Sequence, residues 1–375
     1  MTSAGIGPPD PAPRLRSLDG IRGIAAVIVV LFHVVLTWRS ASTGPDAGIW
    51  AWLDIWPIRL LWGGYEAVMV FFVMSGFVLA LPFLGPRRPR WGRFAARRIV
   101  RLYPAYFFAL LLSAASEAAL SARRTDKLVA VFHGYWAEDV TFTSLMQGAL
   151  MTVDYSNING AFWSLVHEIR ISLIFPILFA AIGRIGVTPA LFLTAILSTT
   201  TVYLVPLFPH AGFMAGLVFS FFKTGYFLFF FVLGIALAMH RQVLVDRLCG
   251  PWRSRRAALA ILGLGLMGMN TRLPYETGSL AVGLGFAMVL LVVLSTQRGV
   301  AMLQSTMPQF LGKISYSLYL VHTPVLYAAC YLLYGQWPIA LILLPILPIT
   351  GALAWLFWFL IERPSIAWSR RVPIT

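Results

Sequence analysis

Asp19, Arg22 and His33 lie in the first long apolar run of the chain, at spacings that bring ionisable groups onto one helix face. Asp19 and Arg22 are three residues apart and can pair with each other. His33 follows eleven residues after Arg22, which is about three helical turns or about 16 Å along the axis. An imidazole, with an ordinary pKa of about 6.5, is the usual general base for an attacking hydroxyl group. The run therefore links a cation near one end to a candidate base three turns further on.

The composition of the chain predicts that the bilayer is its solvent. Of the 375 residues, 59% are hydrophobic and 11% are Asp, Glu, Lys or Arg, against about 25% charged residues in an ordinary soluble domain. Apolar runs of about 20 residues recur, and this is the length a helix needs to cross a bilayer core. Charges inside such runs are costly, so those that are retained usually function or pair with one another.

We predict an all-α, polytopic membrane protein of about ten transmembrane helices. A disordered cytoplasmic tail is expected at residues 1–17, a transmembrane domain at 18–364 and a cytoplasmic tail at 365–375. The region 211–240 is ambiguous because Lys223 interrupts it, and the piece before Lys223 is either part of a span or a re-entrant segment. The ten predicted spans are 18–38, 64–84, 103–121, 160–183, 187–208, 219–240, 257–271, 277–296, 313–334 and 338–361.

The net charge of +15 is explained by membrane orientation rather than by nucleic-acid binding. With ten spans and both termini in the cytoplasm, twenty of the 29 basic residues fall on the cytoplasmic side and six on the outer side. This bias agrees with the positive-inside rule. We therefore expect a multi-pass protein of the inner (plasma) membrane, with no nucleic-acid partner.

Six short motifs follow one another over nearly the whole chain. Each motif alone is a weak signal, whereas their common order is specific. Together they resemble the acyltransferase 3 family of integral-membrane O-acyltransferases. The motifs are Asp19–Gly23 with His33, Phe71–Phe77, Arg98–Pro104, Phe162–Leu165 with Glu168, Leu311–Tyr319 with His322, and Glu362–Pro364.

The resemblance implies transfer of an acyl group, acetyl or short-chain, from acyl-CoA to a hydroxyl group, with His33 as the general base. The arginines Arg22, Arg98 and Arg101 would handle the CoA donor, and Arg98 and Arg101 are spaced to face the same way on a helix. Anchoring at the cytoplasmic surface is the alternative role for these arginines. The expected donor is acetyl-CoA, and no metal is expected, since the two cysteines have no metal-ligand spacing.

Glu168 is expected at a depth close to that of His33, where its carboxylate would orient the imidazole. A salt bridge of Glu168 with Arg170 or Lys223 is the alternative. For His33 itself, the alternatives are a histidine that only bonds a neighbouring helix and a covalent acyl-histidine route. His322 is expected either to contact the ligand or to form a hydrogen bond in the core. The other residues assigned to substrate binding are Asp19, Ser75, Trp163 and Tyr316.

The longest outer segment, residues 122–159, is either a lid or binding element, or a surface connection with an interfacial helix near 140–153. The expected acceptor is a carbohydrate or a sugar-containing molecule, with a macrolide antibiotic or a lipid as the alternative. A secondary transporter or flippase is the alternative from another class, although the chain shows no repeated halves of the kind found in transporters.

Overall fold

The computed structural model of the chain describes residues 13–42, 47–86, 88–152, 157–204, 213–250, 252–271 and 275–373. Eight helical segments in these ranges are long and apolar enough to cross a membrane, and Val187–Thr201 is a shorter apolar helix. The prediction of an all-α, polytopic membrane protein is therefore confirmed.

Sixteen α-helices follow one another in the described ranges. The longer ones correspond to the predicted spans, and the short ones lie between them. In chain order they are α1 (Pro13–Ala41), α2 (Ala47–Leu53), α3 (Gly64–Ala80), α4 (Trp91–Leu120), α5 (Asp126–Val131), α6 (Phe142–Ala149), α7 (Phe162–Ile185), α8 (Val187–Leu204), α9 (Phe213–Leu244), α10 (Arg253–Met267), α11 (Tyr275–Leu294), α12 (Gln297–Leu303), α13 (Thr306–Leu333), α14 (Ile339–Leu343), α15 (Ile346–Phe357) and α16 (Arg363–Arg371).

Several boundaries differ from the sequence-based ones. Helix α1 begins at Pro13, inside the segment predicted as a tail, and α16 continues to Arg371. The ambiguous region around Lys223 lies within one continuous helix, α9, and the Lys223 ammonium lies 4.6 Å from the centre of the Phe219 ring. Residues 1–12, which make up most of the predicted tail, lie outside the described residues.

Helices α1 and α13 pack in direct backbone contact. A Cβ atom on Gly23 would lie 2.4 Å from the backbone nitrogen of Gly312, so neither helix leaves room for a side chain there. Ten residues further along each helix, the imidazoles of His33 and His322 meet, with 3.3 Å between Nδ1 and Nε2. The equal spacing shows that the two helices run parallel, and the motif glycines allow the contact that joins the two histidines.

A second glycine contact joins α3 and α9. A Cβ atom on Gly76 would lie 2.2 Å from the carbonyl oxygen of Phe231, and one on Gly234 would lie 2.1 Å from that of Val73. Small residues at such positions let membrane helices approach closely. Gly76, the neighbour of Ser75, therefore makes the close contact between α3 and α9.

Pro324 interrupts the hydrogen bonding of α13 close to the histidines. A proline has no N–H group, so the carbonyl four residues earlier, that of Leu320, loses its helical partner. The buried Asn159 amide donates to this carbonyl at 3.2 Å and to the Ser113 hydroxyl of α4 at 3.0 Å. The Asn159 carbonyl oxygen accepts from the Thr323 hydroxyl at 2.7 Å. One side chain thus fastens the end of the 122–159 segment to α4 and α13.

Arg170 fastens the same segment to α7 and α9. Its guanidinium donates to the carbonyls of Met151 and Thr152, both at 2.9 Å, and to the hydroxyl and carbonyl oxygens of Ser220. These bonds satisfy a cation that lies within a membrane-spanning helix, as such residues require. Arg170 is therefore a structural tie between the segment and the bundle.

The α1–α13 contact predicts a position-specific effect of adding one methyl group. Gly23→Ala should lower the apparent Tm of the detergent-solubilised protein by about 1–4 °C, because overpacking costs about 1–3 kcal/mol. Gly351→Ala is the matched control, since a Cβ atom in that helix would meet no atom within 4 Å. Thermal unfolding followed by tryptophan fluorescence gives both values. Equal Tm values for the two variants would show that the contact tolerates a side chain.

Candidate functional site

Two cavities lie one beyond the other between α1, α3, α7 and α13. The first, here named the histidine cavity, has a volume of about 360 Å³ and is lined by His33. The second, the arginine cavity, has a volume of about 30 Å³ and is lined by Arg22. Val68 and Tyr319 belong to the lining of both cavities, so these residues stand at the boundary between them.

The hydrogen bonds around His33 define how its imidazole can act. His322 Nδ1 lies 2.8 Å from the carbonyl oxygen of Tyr319, so Nδ1 donates and Nε2 keeps a lone pair. His33 Nδ1 lies 3.0 Å from the carbonyl oxygen of Val29 and 3.3 Å from His322 Nε2. A proton on His33 Nδ1 satisfies both contacts. With both rings neutral, His33 Nε2 then carries the lone pair that a general base needs.

Two residues that line the arginine cavity, Ser75 and Glu168, belong to a polar network that extends to Arg98 and Ser172 outside the lining. Ser75 donates to Glu168 Oε1 at 2.8 Å, and the Arg98 guanidinium lies 3.6 Å from the same oxygen. Arg98 also donates to the Ser172 hydroxyl at 3.1 Å. Glu168 and Arg98 are therefore an ion pair within the membrane-spanning region, joined to α3 through Ser75.

The sequence placed Glu168 beside His33, and the structure does not bring the two together. In the part of the chain that the structure describes, Glu168 forms no hydrogen bond with His33 and lines the other cavity. The partner of Glu168 is Arg98, whereas the salt bridge considered from sequence was with Arg170 or Lys223. The side chain that contacts the His33 imidazole is His322, on a helix almost 300 positions along the chain.

Arg22 and Arg101 have charges that are only partly matched. Their electrostatic neighbours include the carboxylates of Asp19 and Glu362. Neither guanidinium forms a hydrogen bond with another described side chain or carbonyl group, and both are partly exposed. Glu362 itself accepts from the Ser317 hydroxyl and from the Ser317 backbone N–H at 3.2 Å. The two arginines thus keep donors available for an anionic ligand.

A pair of hydroxyl groups lies at the boundary between the cavities. The Tyr319 and Ser164 hydroxyl groups are 2.6 Å apart, and the ring of Phe71 packs edge-on against that of Tyr319 at 6.0 Å. Tyr319 lines both cavities, and Ser164 lines the arginine cavity. The hydroxyl contact therefore joins α7 to α13 where the two cavities adjoin.

The remaining predicted residues divide between the two cavities. Trp163 lines the histidine cavity, and Ser75 and Tyr316 line the arginine cavity, where the Tyr316 hydroxyl donates to the carbonyl oxygen of Leu102 at 3.0 Å. His322 is buried, and its ring nitrogens form hydrogen bonds with the carbonyl oxygen of Tyr319 and with His33. Within the described ranges, no group of three His, Cys, Asp or Glu side chains is placed to hold a metal ion.

Part of the histidine cavity could not be predicted from sequence. The 122–159 segment contributes four lining residues between Val131 and Tyr135, so it forms part of the cavity wall, and it contains the short helix α6. Tyr65 and Tyr327 also line the cavity. Tyr327 could have been found, because residues 316, 319, 323 and 327 follow one face of α13. The segment residues give no periodic signal.

Comparison with known proteins connects this site to a family. The profile of the family described as "Acyltransferase domain" matches residues 15–361. BcsY of Komagataeibacter xylinus, whose name describes a membrane-bound transacylase, is 27% identical over 374 residues, covering 97% of this chain and 86% of that protein. "Protein 2 in picA locus" of Rhizobium radiobacter is 36% identical over 110 residues, 28% of this chain and 47% of its own. No solved structure matches the chain.

The Arg98–Glu168 pair predicts a stability difference between buried and exposed ion pairs. Arg98→Ala should destabilise the protein by about 2 kcal/mol, because Glu168 loses its cation in a poorly hydrated site. Arg39→Ala is the control, since Arg39 pairs with Asp54 and both side chains are over 40% exposed; it should cost less than about 0.5 kcal/mol. Thermal unfolding in one detergent compares them, and a loss at Arg39 as large as at Arg98 would contradict the assignment.

Proposed function

Since the chain belongs to the acyltransferase 3 family and is a membrane acyltransferase, we propose that it moves an acetyl or other short acyl group from acyl-CoA to a hydroxyl group of a carbohydrate. The observation that carries the proposal is the pair of adjoining cavities. One is lined by Arg22, whose guanidinium has donors for an anionic group, and the other is lined by His33, whose imidazole has an available lone pair. Donor and acceptor would thus approach the same boundary from opposite sides.

CoA carries several phosphates, and Arg22 in the lining of the arginine cavity, with its electrostatic neighbour Arg101 outside that lining, offers cations to bind them. Arg22 and Arg101 have guanidinium donors without hydrogen bonds to described groups, and guanidinium suits phosphate oxygens in geometry and charge. Arg98 has a different role in this proposal. Because it is already bonded to Glu168 and Ser172, it positions the network rather than the phosphate.

The thioester would reach His33 through the boundary between the cavities. A volume of about 30 Å³ has room for only about two or three water molecules, since one water needs about 10–15 Å³ on this measure. The pantetheine arm is far larger, so entry of the donor must widen this passage. Separation of the Tyr319 and Ser164 hydroxyl groups is the smallest movement that would open it.

His33 would act as the general base for the attack. The acceptor oxygen forms a bond to the thioester carbonyl carbon while its proton passes to His33 Nε2. The C–S bond then breaks, and the departing CoA thiolate takes the proton from the imidazolium. The products are an ester and CoA with a free thiol, and His33 is neutral again.

His322 would position the imidazole and stabilise its charged form. Its Nε2 accepts from His33 Nδ1, so that Nε2 of His33 stays the basic nitrogen. This is the role that a carboxylate has in hydrolase triads. A neutral acceptor in this place avoids a permanent negative charge in a cavity that lies within the membrane.

The proposal also specifies how the protein is oriented in the membrane. We place both termini in the cytoplasm of the inner membrane, because the basic residues of the chain are concentrated there in that arrangement. The arginine cavity would then take CoA from the cytoplasm, and the histidine cavity would receive the acceptor from outside. The donor need not be transported for an outer sugar to be acylated.

Replacement of His33 gives the decisive test of the chemistry. His33→Ala should lower kcat by about 10²–10⁴-fold, since that is the contribution of a general base, with little change in the donor KM. Free thiol release from acetyl-CoA is followed with a panel of sugar and macrolide acceptors. His240→Ala, at an exposed position near the end of α9, should match the unmodified protein.

Each outcome of that panel has a meaning. Equal thiol release by the unmodified protein and His33→Ala would remove His33 from the mechanism. Acylation of a macrolide but of no sugar would replace the acceptor class. Solute uptake without any thioester consumption would favour a transporter.

The donor site is tested by combining a variant with a donor that lacks phosphate. Arg22→Ala should raise the KM for acetyl-CoA about tenfold or more, because it removes a charged hydrogen bond. With acetyl-pantetheine, which has no phosphate, the same variant should behave like the unmodified protein. Arg88→Ala is the control, since Arg88 is exposed between α3 and α4. An equal loss with both donors would contradict phosphate binding by Arg22.

A further inference from the structure

The histidine cavity has a volume of about 360 Å³, and the described part of its lining is rich in aromatic side chains and contains no Asp, Glu, Lys or Arg. We infer that it binds an uncharged sugar ring, held between two aromatic walls with one hydroxyl group at His33, and that it rejects sugars bearing a carboxylate or an ammonium group. This inference rests on the proposed function, because it specifies the acceptor of that reaction.

The lining of the histidine cavity offers no counter-ion to a charged sugar. Sixteen described residues line the histidine cavity, and among them there is no Asp, Glu, Lys or Arg. At its outer end, Arg59 lies 3.9 Å from Glu66 and stacks on Trp62, so that cation is already matched. A uronate or an amino sugar would leave water without meeting a counter-ion, and an unpaired charge in such surroundings is strongly disfavoured.

The aromatic rings of the lining form two groups. One wall is formed by Phe32, Tyr65 and Trp163, with ring centres 5.7 Å and 6.3 Å apart in that order. The other wall comes from the 122–159 segment and α13. There Tyr327 lies 4.5 Å from Phe132 and 6.1 Å from Tyr135. A sugar ring has C–H groups on its faces and hydroxyl groups at its edge, so two aromatic walls suit its faces.

Polar atoms around the rings suit the edge of a sugar. Thr37, His133 and the tyrosine hydroxyl groups lie in the lining along with His33. A few polar groups among aromatic side chains fix the orientation of a small ligand. Gly160 keeps the space open, because a Cβ atom there would lie 2.7 Å from the Tyr327 hydroxyl and 3.1 Å from the Tyr135 ring.

The size of the cavity limits the acceptor further. Its volume of about 360 Å³ is at the low end of the roughly 300–1,000 Å³ of small-molecule sites. One sugar ring, or two, matches this space better than a macrolide does. The reacting ring is therefore expected to be a terminal one, with the remainder of any glycan outside the cavity.

Matched sugar pairs test the inference directly. Methyl β-glucopyranoside and methyl β-glucuronopyranoside differ only at C6, which is a hydroxymethyl group in the first and a carboxylate in the second. The corresponding galacto and manno pairs extend the series. Methyl glucosaminide and its N-acetyl form provide a pair that differs by an ammonium group. The full chain is assayed in detergent with acetyl-CoA, and product is measured by mass spectrometry. In at least one pair the neutral sugar should have a kcat/KM roughly 100-fold above that of its charged partner. Equal values in all pairs would overturn the inference.

Two sets of variants locate the selectivity in this cavity. Tyr65 is 41% exposed, so its replacement should not prevent folding. Tyr65→Leu should raise the acceptor KM about 3- to 10-fold with the donor KM unchanged, whereas Tyr65→Phe, which keeps the ring, should change it less than about twofold. His133→Arg, at an exposed position of the lining, should shift the kcat/KM ratio toward the uronate relative to His133→Gln. An unchanged ratio would place the acceptor elsewhere.

Binding without a donor separates this inference from the proposed function. Saturation-transfer NMR on the protein alone, with the same sugar pairs, reports whether neutral sugars contact the protein and charged ones do not. Selective binding of neutral sugars without any acyl transfer would support the cavity assignment while contradicting the proposed reaction. Equal binding of both members, or binding of neither, would overturn the cavity assignment whatever the activity.

Discussion

The backbone contact between α1 and α13 is the constraint on which the site depends. Gly23 and Gly312 meet so closely that either helix would have to shift to accept a methyl group. The two helices run parallel from this contact, so residues ten positions further along each helix also meet, and these are His33 and His322. Membrane helices gain little from burying apolar side chains against one another, since lipid tails are equally apolar. Close backbone packing is therefore the feature that fixes the register of the two histidines.

The site divides its charges between two levels of the bundle. Arginines and carboxylates gather around the arginine cavity, where Arg98 pairs with Glu168 and further carboxylates lie near Arg22 and Arg101. The lining of the histidine cavity, so far as it is described, contains only uncharged and imidazole side chains. A charge in a region of low dielectric constant needs a partner nearby, so the charges collect where they can balance one another. The His33 imidazole is thereby kept apart from permanent charges, with Tyr319 and Ser164 between the two levels.

Buried polar ties hold the outer wall of the histidine cavity in place. Asn159 uses its whole amide group to join the 122–159 segment to α4 and α13, and one of its acceptors is the carbonyl that Pro324 leaves unpaired. Arg170 makes five hydrogen bonds to backbone and hydroxyl oxygens, and these join the other side of the segment to α7 and α9. A segment without a long helix of its own is thus ordered by side chains that themselves require these partners. The aromatic wall that it contributes is positioned by the same bonds.

The sequence alone determined that the chain is built from apolar helices that can cross a bilayer, since the length of a span follows from bilayer thickness. It predicted ten spans, whereas eight segments of the described residues are long and apolar enough to cross. It also singled out His33 and the arginines, since ionisable residues in apolar runs are conspicuous. It also placed Tyr316, Tyr319 and His322 on one helix through their spacing. Only the tertiary structure decided which helices are neighbours. It brought His322 rather than Glu168 to His33, because two residues at similar depth can face different partners and periodicity gives a face without its neighbour. Only the tertiary structure showed that residues 131–135 form one wall of the histidine cavity. An irregular segment has no periodic pattern in its sequence, and the position of this segment depends on hydrogen bonds to distant side chains such as Asn159 and Arg170.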